Sequence, residues 1–191
     1  GRYNCKVLVL EAKNDVANCT TKANSAILHA GYDPVPGTLM AETNVRGVAL
    51  AKELCEKLDV EREEIGSLVL AFGEEDERHL EKLYRQGLTN GVPELELLTA
   101  DEVRALEPNV SDKVTAALYA PTAAIVSPWE FALALAETAV VNGCDLRLSA
   151  PVNGIDRLEE GYRLHTPKGD FETRYIINAA GLHCDKIHEM V

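Results

Sequence analysis

The sequence predicts a mixed α/β fold with an α+β portion, and three features carry that prediction. Residues 5–10 are aliphatic without polar alternation after Lys6, which is typical of a parallel strand buried on both faces. Residues 38–58 and 74–90 place apolar side chains at helical spacing. Residues 152–178 hold three strand-like segments separated by glycine turns, which indicates an antiparallel meander.

The first two helices have clear ends in the sequence. Thr38 is a helix cap, and the helix that follows it is expected to reach Leu58. After a strand at Ser67–Phe72, the second helix is expected at Glu74–Asn90. Gly91 ends it, because glycine readily adopts the left-handed conformation that closes a helix.

Two further helices begin at capping boxes. Thr99 and Glu102 open a third helix, which Pro108 prevents from continuing. Ser127, followed by a proline at the first helical position and Glu130 at the third, opens a fourth. The strands predicted on either side of the third helix are Glu94–Leu98 and Val114–Tyr119.

The last part of the chain is predicted to return to a buried sheet. The meander strands are expected at Val152–Leu158, Tyr162–Thr166 and Asp170–Asn178. Within the third, Tyr175–Ile177 is apolar without alternation and leads into Asn178–Gly181, a loop with almost no side chains. Asp185–Val191 is expected to form the first turns of a helix, and we expect the chain to be a fragment of a longer protein.

Composition and charge exclude several classes of partner. The 191 residues carry a net charge of −12, so nucleic acid and anionic membrane surfaces would be repelled. No apolar run approaches the length of a membrane span. The five cysteines are widely spread and include no C-x-x-C pair, which argues against a disulfide framework or a zinc site. Reduced thiols indicate a cytoplasmic protein.

Three segments together predict a nucleotide cofactor. Glu11 ends the first strand, where a carboxylate accepts hydrogen bonds from the ribose hydroxyls of a dinucleotide; a solvated surface charge is the alternative. Asn24–Tyr32 is rich in small residues, and Gly31 permits dihedrals closed to other residues, so a flat or anionic ligand is able to approach the backbone. A tight turn in an ordinary core is the alternative there. Asn178–Gly181 has the same character, with tight packing of a helix on the sheet as its alternative.

Taken together, these segments resemble the flavin-dependent oxidoreductases of the D-amino-acid-oxidase-like superfamily. The nearest likeness is to the branch that holds FAD-dependent glycerol-3-phosphate dehydrogenases and L-2-hydroxyglutarate oxidases. The resemblance extends over nearly the whole chain, in the order of the family. The segments that carry it are Val7–Glu11, Asn24–Tyr32, Pro36–Leu39, Ile125–Pro128 and Ile176–Gly181.

The resemblance implies FAD as the cofactor. It places Glu11 at the adenosine ribose and Val152 near the adenine. Asn24 and Ser25 would lie along the pyrophosphate and the flavin edge, and Ala179, Ala180 and Gly181 would lie on the pyrophosphate side. His29, Ala30 and Gly31 would lie beside the isoalloxazine. It also implies a partial Rossmann-like FAD-binding domain at residues 1–38 and 143–191, with the antiparallel meander inserted. Residues 39–142 would form mainly a mixed sheet-plus-helix substrate domain.

The activity that the resemblance implies is oxidation of a small hydroxy-substrate, glycerol 3-phosphate or a 2-hydroxy acid, by hydride transfer to the flavin. His29 is the histidine placed to remove the alcohol proton, and the alternatives are that it orients the flavin or only packs. His183 and His188 are five residues apart and do not share a helical face, so we predict no metal site.

Two other functions stay open, as does the identity of the electron acceptor. One is oxidation of an amine or amino acid on the same scaffold. The other is a non-catalytic module whose acidic helices bind a partner protein.

The sequence departs from the family pattern in one respect. The G-x-G-x-x-G turn that seats the pyrophosphate on a helix amino terminus is expected before Cys5, and it is absent. We therefore expect the fragment to bind FAD poorly and to be inactive by itself.

Overall fold

The computed structural model describes residues 4–191 and confirms the mixed α/β class. The helices are α1 (Leu39–Leu58), α2 (Glu74–Asn90), α3 (Ala100–Leu106), α4 (Pro128–Val141) and α5 (Cys184–His188), with short 3-10 turns at Cys19–Thr21 and Gly181–His183. The strands are β1 (Leu8–Leu10), β2 (Ile27–Leu28), β3 (Arg62–Glu63), β4 (Ser67–Ala71), β5 (Glu96–Thr99), β6 (Ala116–Ala120), β7 (Ala124–Val126), β8 (Asp145–Arg147), β9 (Gly154–Leu158), β10 (Gly161–Thr166) and β11 (Gly169–Thr173).

The chain divides into two compact units. The first unit joins residues 1–22 to residues 132–191, and the second unit is residues 23–131. The assignment of residues 1–38 and 143–191 to cofactor binding, and of residues 39–142 to substrate binding, stays a prediction.

The second unit is built on an antiparallel sheet in the order β4-β6-β5. Alternate residues of β6 point to opposite faces. Leu118 packs with Leu80 and Leu83 of α2, whereas Ala117 packs with Val103 of α3. The two helices therefore cover opposite faces of this sheet, and the core of the unit lies on both sides of β6.

The helix ends predicted for this unit are confirmed. Thr38 Oγ1 accepts a hydrogen bond from Ala41 N at 3.3 Å, and Gly91 closes α2 with a φ of +80°. The capping box of α3 is complete, with Glu102 N donating to Thr99 Oγ1 at 3.4 Å and Thr99 N donating to Glu102 Oε2 at 2.8 Å. These bonds span three residues or fewer, so the local sequence is enough to specify them.

A second sheet of this unit, in the order β2-β7-β3, was not predicted. Arg62–Glu63 lies in a stretch whose charges indicate solvated surface, yet it pairs with β7 as an edge strand. Charged side chains are common at sheet edges because they discourage further pairing. Strands of two or three residues carry too little periodicity to be read from the sequence.

In the first unit, β1 pairs in parallel with β8, with Leu8 opposite Asp145 and Leu10 opposite Arg147. The parallel pairing is confirmed, but burial on both faces is wrong, because Val7 is 48% exposed and Val9 is 42% exposed. Among residues 4–191 the sheet that contains β1 has two strands, and two strands leave most of each face uncovered.

The buried parallel strand predicted at Tyr175–Ile177 is also not formed. The third meander strand ends at Thr173, and residues 175–180 have no regular secondary structure and no strand partner. Ile177 is 91% exposed. Apolar composition alone does not make a strand, since a strand requires a neighbour that satisfies its backbone groups.

The antiparallel meander is confirmed as the sheet β9-β10-β11. One of its faces carries a charged cluster in which His165 lies between two carboxylates. His165 Nε2 lies 2.9 Å from Asp156 Oδ2 on β9, and His165 Nδ1 lies 2.9 Å from Asp170 Oδ1 on β11. The hydrogen bonds to Asp156 and Asp170 raise the pKa of His165 above its ordinary value.

We expect the meander to be more stable when His165 is charged. Its contribution is fully present below the unfolded pKa of histidine, about 6.5, and is lost as the pH rises through the raised folded pKa. An NMR titration of the His165 ring protons should give a midpoint above the ordinary value for histidine, about 6.5. The double substitution of Asp156 and Asp170 by asparagine should return the midpoint toward the ordinary value. An unchanged midpoint in that variant would contradict the assignment.

Candidate functional site

The predicted site residues fall into both units, and each half has its own geometry. The first unit holds Glu11, Val152, Ala179, Ala180 and Gly181. The second unit holds Asn24, Ser25, His29, Ala30 and Gly31.

Glu11 lies directly after the carboxyl end of β1 and is half-buried. Its backbone is fixed on both sides, since Glu11 N donates to Arg147 O at 2.9 Å and Ala150 N donates to Glu11 O at 2.8 Å. Its carboxylate accepts a hydrogen bond from the backbone N–H of Lys13, two residues further along the chain, at 2.7 Å. A carboxylate held at the end of a parallel strand is the group that binds ribose hydroxyls in dinucleotide-binding sheets.

Val152 lies in the segment that follows β8, and the backbone of this segment bonds to Glu11. Ala150, two residues before it, bonds to the Glu11 carbonyl and is 1% exposed. Asn153, the residue after it, donates its backbone N–H to His165 O at 2.9 Å. The backbone around Val152 is thus bonded to Glu11 on one side, through Ala150, and to His165 of β10 on the other, through Asn153.

The loop Ala179–Gly181 is exposed, and hydrogen bonds between neighbouring residues hold it. Ala180 N donates to Asn178 Oδ1 at 3.2 Å, and Asn178 Nδ2 donates to Cys184 O at 2.7 Å. A Cβ placed on Gly181 would meet nothing within 4 Å, so the space beside this backbone is open. Beside the loop, Asn178, Arg174 and His188 line an open cavity of about 390 Å³ that touches none of the predicted site residues.

In the second unit, Asn24 shapes the backbone that enters β2. Asn24 Oδ1 accepts a hydrogen bond from Ala26 N at 2.8 Å, and Ala26 adopts a φ of +62°. The carbonyl of Ala26 then accepts from Val126 N at 3.0 Å. Ser25 is exposed beside them. A left-handed residue other than glycine is uncommon and is found disproportionately at ligand sites.

After β2 comes the segment we call the 29–34 loop, from His29 to Pro34. His29 is exposed, whereas Ala30 is 3% exposed and belongs to the core beneath α2. Gly31 has a φ of +105°, and a Cβ there would lie 2.7 Å from Val45 Cγ2. Only glycine fits this position, because a side chain would be strained in φ and would collide with α1.

Sequence reasoning missed the residues that hold this loop. Three side-chain amides, from Asn44 on α1 and from Gln86 and Asn90 on α2, donate hydrogen bonds to its backbone carbonyls. The bonds are Asn44 Nδ2 to His29 O (2.5 Å), Gln86 Nε2 to Asp33 O (2.5 Å) and to Tyr32 O (3.1 Å), and Asn90 Nδ2 to Pro34 O (2.8 Å) and to Gly31 O (3.0 Å). The sequence did offer one signal for them. Gln86 and Asn90 are four residues apart, with Gly87 between them, and this spacing places both amide side chains on one face of the helix.

The chemistry of both halves fits a dinucleotide such as FAD. The first unit offers a fixed carboxylate and an open small-residue loop, and the second offers small residues beside an exposed histidine. Among residues 4–191 no cluster of three or more histidine, cysteine or acidic side chains is arranged to bind a metal ion. No helix in this part of the chain combines the length and apolar character that a membrane crossing requires.

Comparison with known proteins gives a family match over the whole chain. A family model described as FAD dependent oxidoreductase matches residues 1–191. A glycerol 3-phosphate dehydrogenase from Caloramator mitchellensis is 50% identical over 190 residues, which is 100% of this chain and 40% of that protein. An L-2-hydroxyglutarate dehydrogenase from Indibacter alkaliphilus is 32% identical over 187 residues, which is 98% of this chain and 46% of that protein.

A solved structure agrees with the sequence relatives. The dithionite-reduced L-α-glycerophosphate oxidase from Mycoplasma pneumoniae, with FAD bound, matches with a TM-score of 0.90 at 27% identity. The match covers 99% of this chain and 51% of that one. The chain thus spans 40% to 51% of the length of these three proteins.

Proposed function

Since the chain belongs to the DAO family of FAD-dependent oxidoreductases, we propose that the protein to which it belongs oxidises glycerol 3-phosphate or a 2-hydroxy acid by hydride transfer to FAD. The observation that carries the proposal is the 50% identity to a glycerol 3-phosphate dehydrogenase along the whole chain. It favours glycerol 3-phosphate over the 2-hydroxy acids, for which the L-2-hydroxyglutarate dehydrogenase relative is 32% identical.

The proposal assigns cofactor binding to both units. In the first, the Glu11 carboxylate binds the adenosine ribose, the backbone of Val152 lies near the adenine, and Ala179–Gly181 offers backbone on the pyrophosphate side. The fixed backbone of Glu11 and the open space beside Gly181 support these roles.

In the second unit, the proposal places Asn24 and Ser25 along the pyrophosphate and the flavin edge, and Ala30 and Gly31 beside the isoalloxazine. Bound FAD supplies the hydride acceptor. The His29 imidazole accepts the proton of the substrate hydroxyl as the hydride leaves the carbon. Its exposed position on a loop whose backbone is held by five hydrogen bonds supports this role, because a general base must be both accessible and fixed in place.

We also propose a cytoplasmic location. The five cysteines are free thiols, and cytoplasmic conditions keep thiols reduced.

The test is anaerobic reduction of the full-length protein by a panel of substrates. We expect the purified protein to show the absorbance of bound flavin, and glycerol 3-phosphate to bleach it faster than L-2-hydroxyglutarate. Glycine and a larger amino acid serve as the comparison arm for amine oxidation. If only the amino acids bleach the flavin, the protein is an amine or amino-acid oxidase. A full-length protein that gains no flavin absorbance on addition of FAD would overturn the proposal.

A further inference from the structure

The 29–34 loop is held by side chains instead of by a ladder of backbone bonds. Five of its six carbonyl groups, all except that of Ala30, accept a hydrogen bond from one of three amides. We call Asn44, Gln86 and Asn90 the amide clamp. A hydrogen bond from a fixed helix constrains a carbonyl in position and direction. Five such bonds along six residues leave the loop little freedom.

The amide clamp contacts the loop from α1 on one side and from α2 on the other. At each contact a glycine allows the helix and the loop to pack closely. Gln86 and Asn90 flank Gly87, where a Cβ would lie 2.8 Å from Tyr32 Cβ, so α2 lies directly against the loop. On the other side, Gly31 allows the loop to lie against α1 beside Asn44, since a Cβ there would collide with Val45. Both helices α1 and α2 therefore pack directly against the loop.

Within the part of the chain that the structure describes, the amide clamp leaves one buried hydrogen-bond acceptor unpaired, the side-chain oxygen of Asn90. Asn90 Nδ2 donates to two carbonyls, which fixes the orientation of the amide, and Asn90 Oδ1 is then buried without a partner among the described residues. A buried acceptor without a partner is unfavourable for stability and is uncommon in native structures. If these side chains served stability alone, an unpaired buried oxygen at Asn90 would not be needed.

We propose that the amide clamp positions the backbone of His29–Gly31 for the oxidation, so that Asn44, Gln86 and Asn90 are positioning residues of the active site. The inference rests on the proposed function. The three side chains bond to the carbonyls of the loop and to no reacting atom. They act by fixing where the His29 imidazole and the small backbone of Ala30 and Gly31 stand. A displacement of about 1 Å at such a point lowers a rate by up to about 100-fold.

The test compares isosteric variants of the full-length protein. Asn90→Asp and Gln86→Glu keep the shape of each side chain and replace the donor by a carboxylate that repels the carbonyls. Asn142→Asp is the matched control, because Asn142 also lies at the carboxyl end of a helix and donates its side-chain amide to a carbonyl, Thr138 O at 2.8 Å. Asn90→Asp and Asn142→Asp each place a negative charge at a helix carboxyl terminus, so these two variants share the unfavourable interaction with the helix dipole.

We expect Asn90→Asp and Gln86→Glu to lower kcat for the oxidation by about 10- to 100-fold with a smaller change in KM, and Asn142→Asp to leave both unchanged. Hydrogen exchange of the amides of the 29–34 loop, measured on the apoprotein, should be faster in the clamp variants. The absorption maxima of bound flavin should shift in the holoprotein.

The outcomes separate this inference from the proposed function. If the wild type holds FAD and oxidises substrate, and the clamp variants lose only thermal stability while kcat and the flavin spectrum stay unchanged, the clamp is structural and the inference is overturned. If the wild type itself neither holds FAD nor oxidises any substrate, the proposed function fails, and the catalytic role of the clamp fails with it.

Discussion

Replacement of His29 by glutamine should lower kcat for glycerol 3-phosphate oxidation by about 10²- to 10⁴-fold, the usual contribution of a general base. Glutamine has a similar size and keeps a hydrogen-bonding group, but it has no nitrogen that takes up a proton near neutral pH. The backbone of the loop should be unaffected, because Asn44 bonds to the carbonyl of His29 and not to its ring. The rate of flavin reduction under anaerobic conditions measures the effect directly.

The control is His79→Gln. His79 is an exposed histidine on α2, so this variant has the same chemical change outside the proposed site. We expect it to reduce the flavin at the wild-type rate. If His29→Gln retains FAD and also reduces it at the wild-type rate, His29 is not the base. A His29→Gln protein that loses FAD but reacts normally when saturated with it would show that the histidine only orients the cofactor.

Replacement of Leu118 by alanine should destabilise the second unit by about 2–5 kcal/mol, the range for truncating a buried leucine. Leu118 is fully buried on β6, with the side chains of Leu80 and Leu83 from α2 against it. The lost methyl groups would leave a cavity, because the strand pairs on both sides of β6 resist collapse. Thermal unfolding of the full-length protein should show a midpoint lowered by several degrees.

Leu88→Ala is the matched control for this measurement. Leu88 lies on α2 and is 52% exposed, so its truncation removes the same atoms without creating a cavity. We expect its unfolding midpoint to stay close to that of the wild type. Equal losses in the two variants would contradict the placement of the core on this face of the sheet.

The resemblance to flavin-dependent oxidoreductases was visible in the sequence, and the family match over residues 1–191 confirms it. The signal was spread over short segments such as Val7–Glu11 and Ile176–Gly181. Each of these is common by itself. Their order along the chain made them informative together. The roles of the individual residues are still predictions, including that of His29.

Local chemistry is what the sequence by itself determined. The bounds of α2, the cap at Thr38 and the capping box at Thr99 and Glu102 were all predicted, because each depends on residues within one or two turns. The meander was predicted for the same reason, since hairpins join neighbouring strands through short turns.

Tertiary structure decided everything that depends on distant partners. It paired Arg62–Glu63 into a sheet, left residues 175–178 without a strand partner, and left β1 with half-exposed side chains. It also brought Gln86 and Asn90 against a loop more than fifty residues earlier in the chain. Periodicity records only which face of an element is apolar, whereas a hydrogen bond between distant residues depends on how the elements pack. For that reason the sequence indicated the loop that carries His29, and only the structure identified the side chains that hold it.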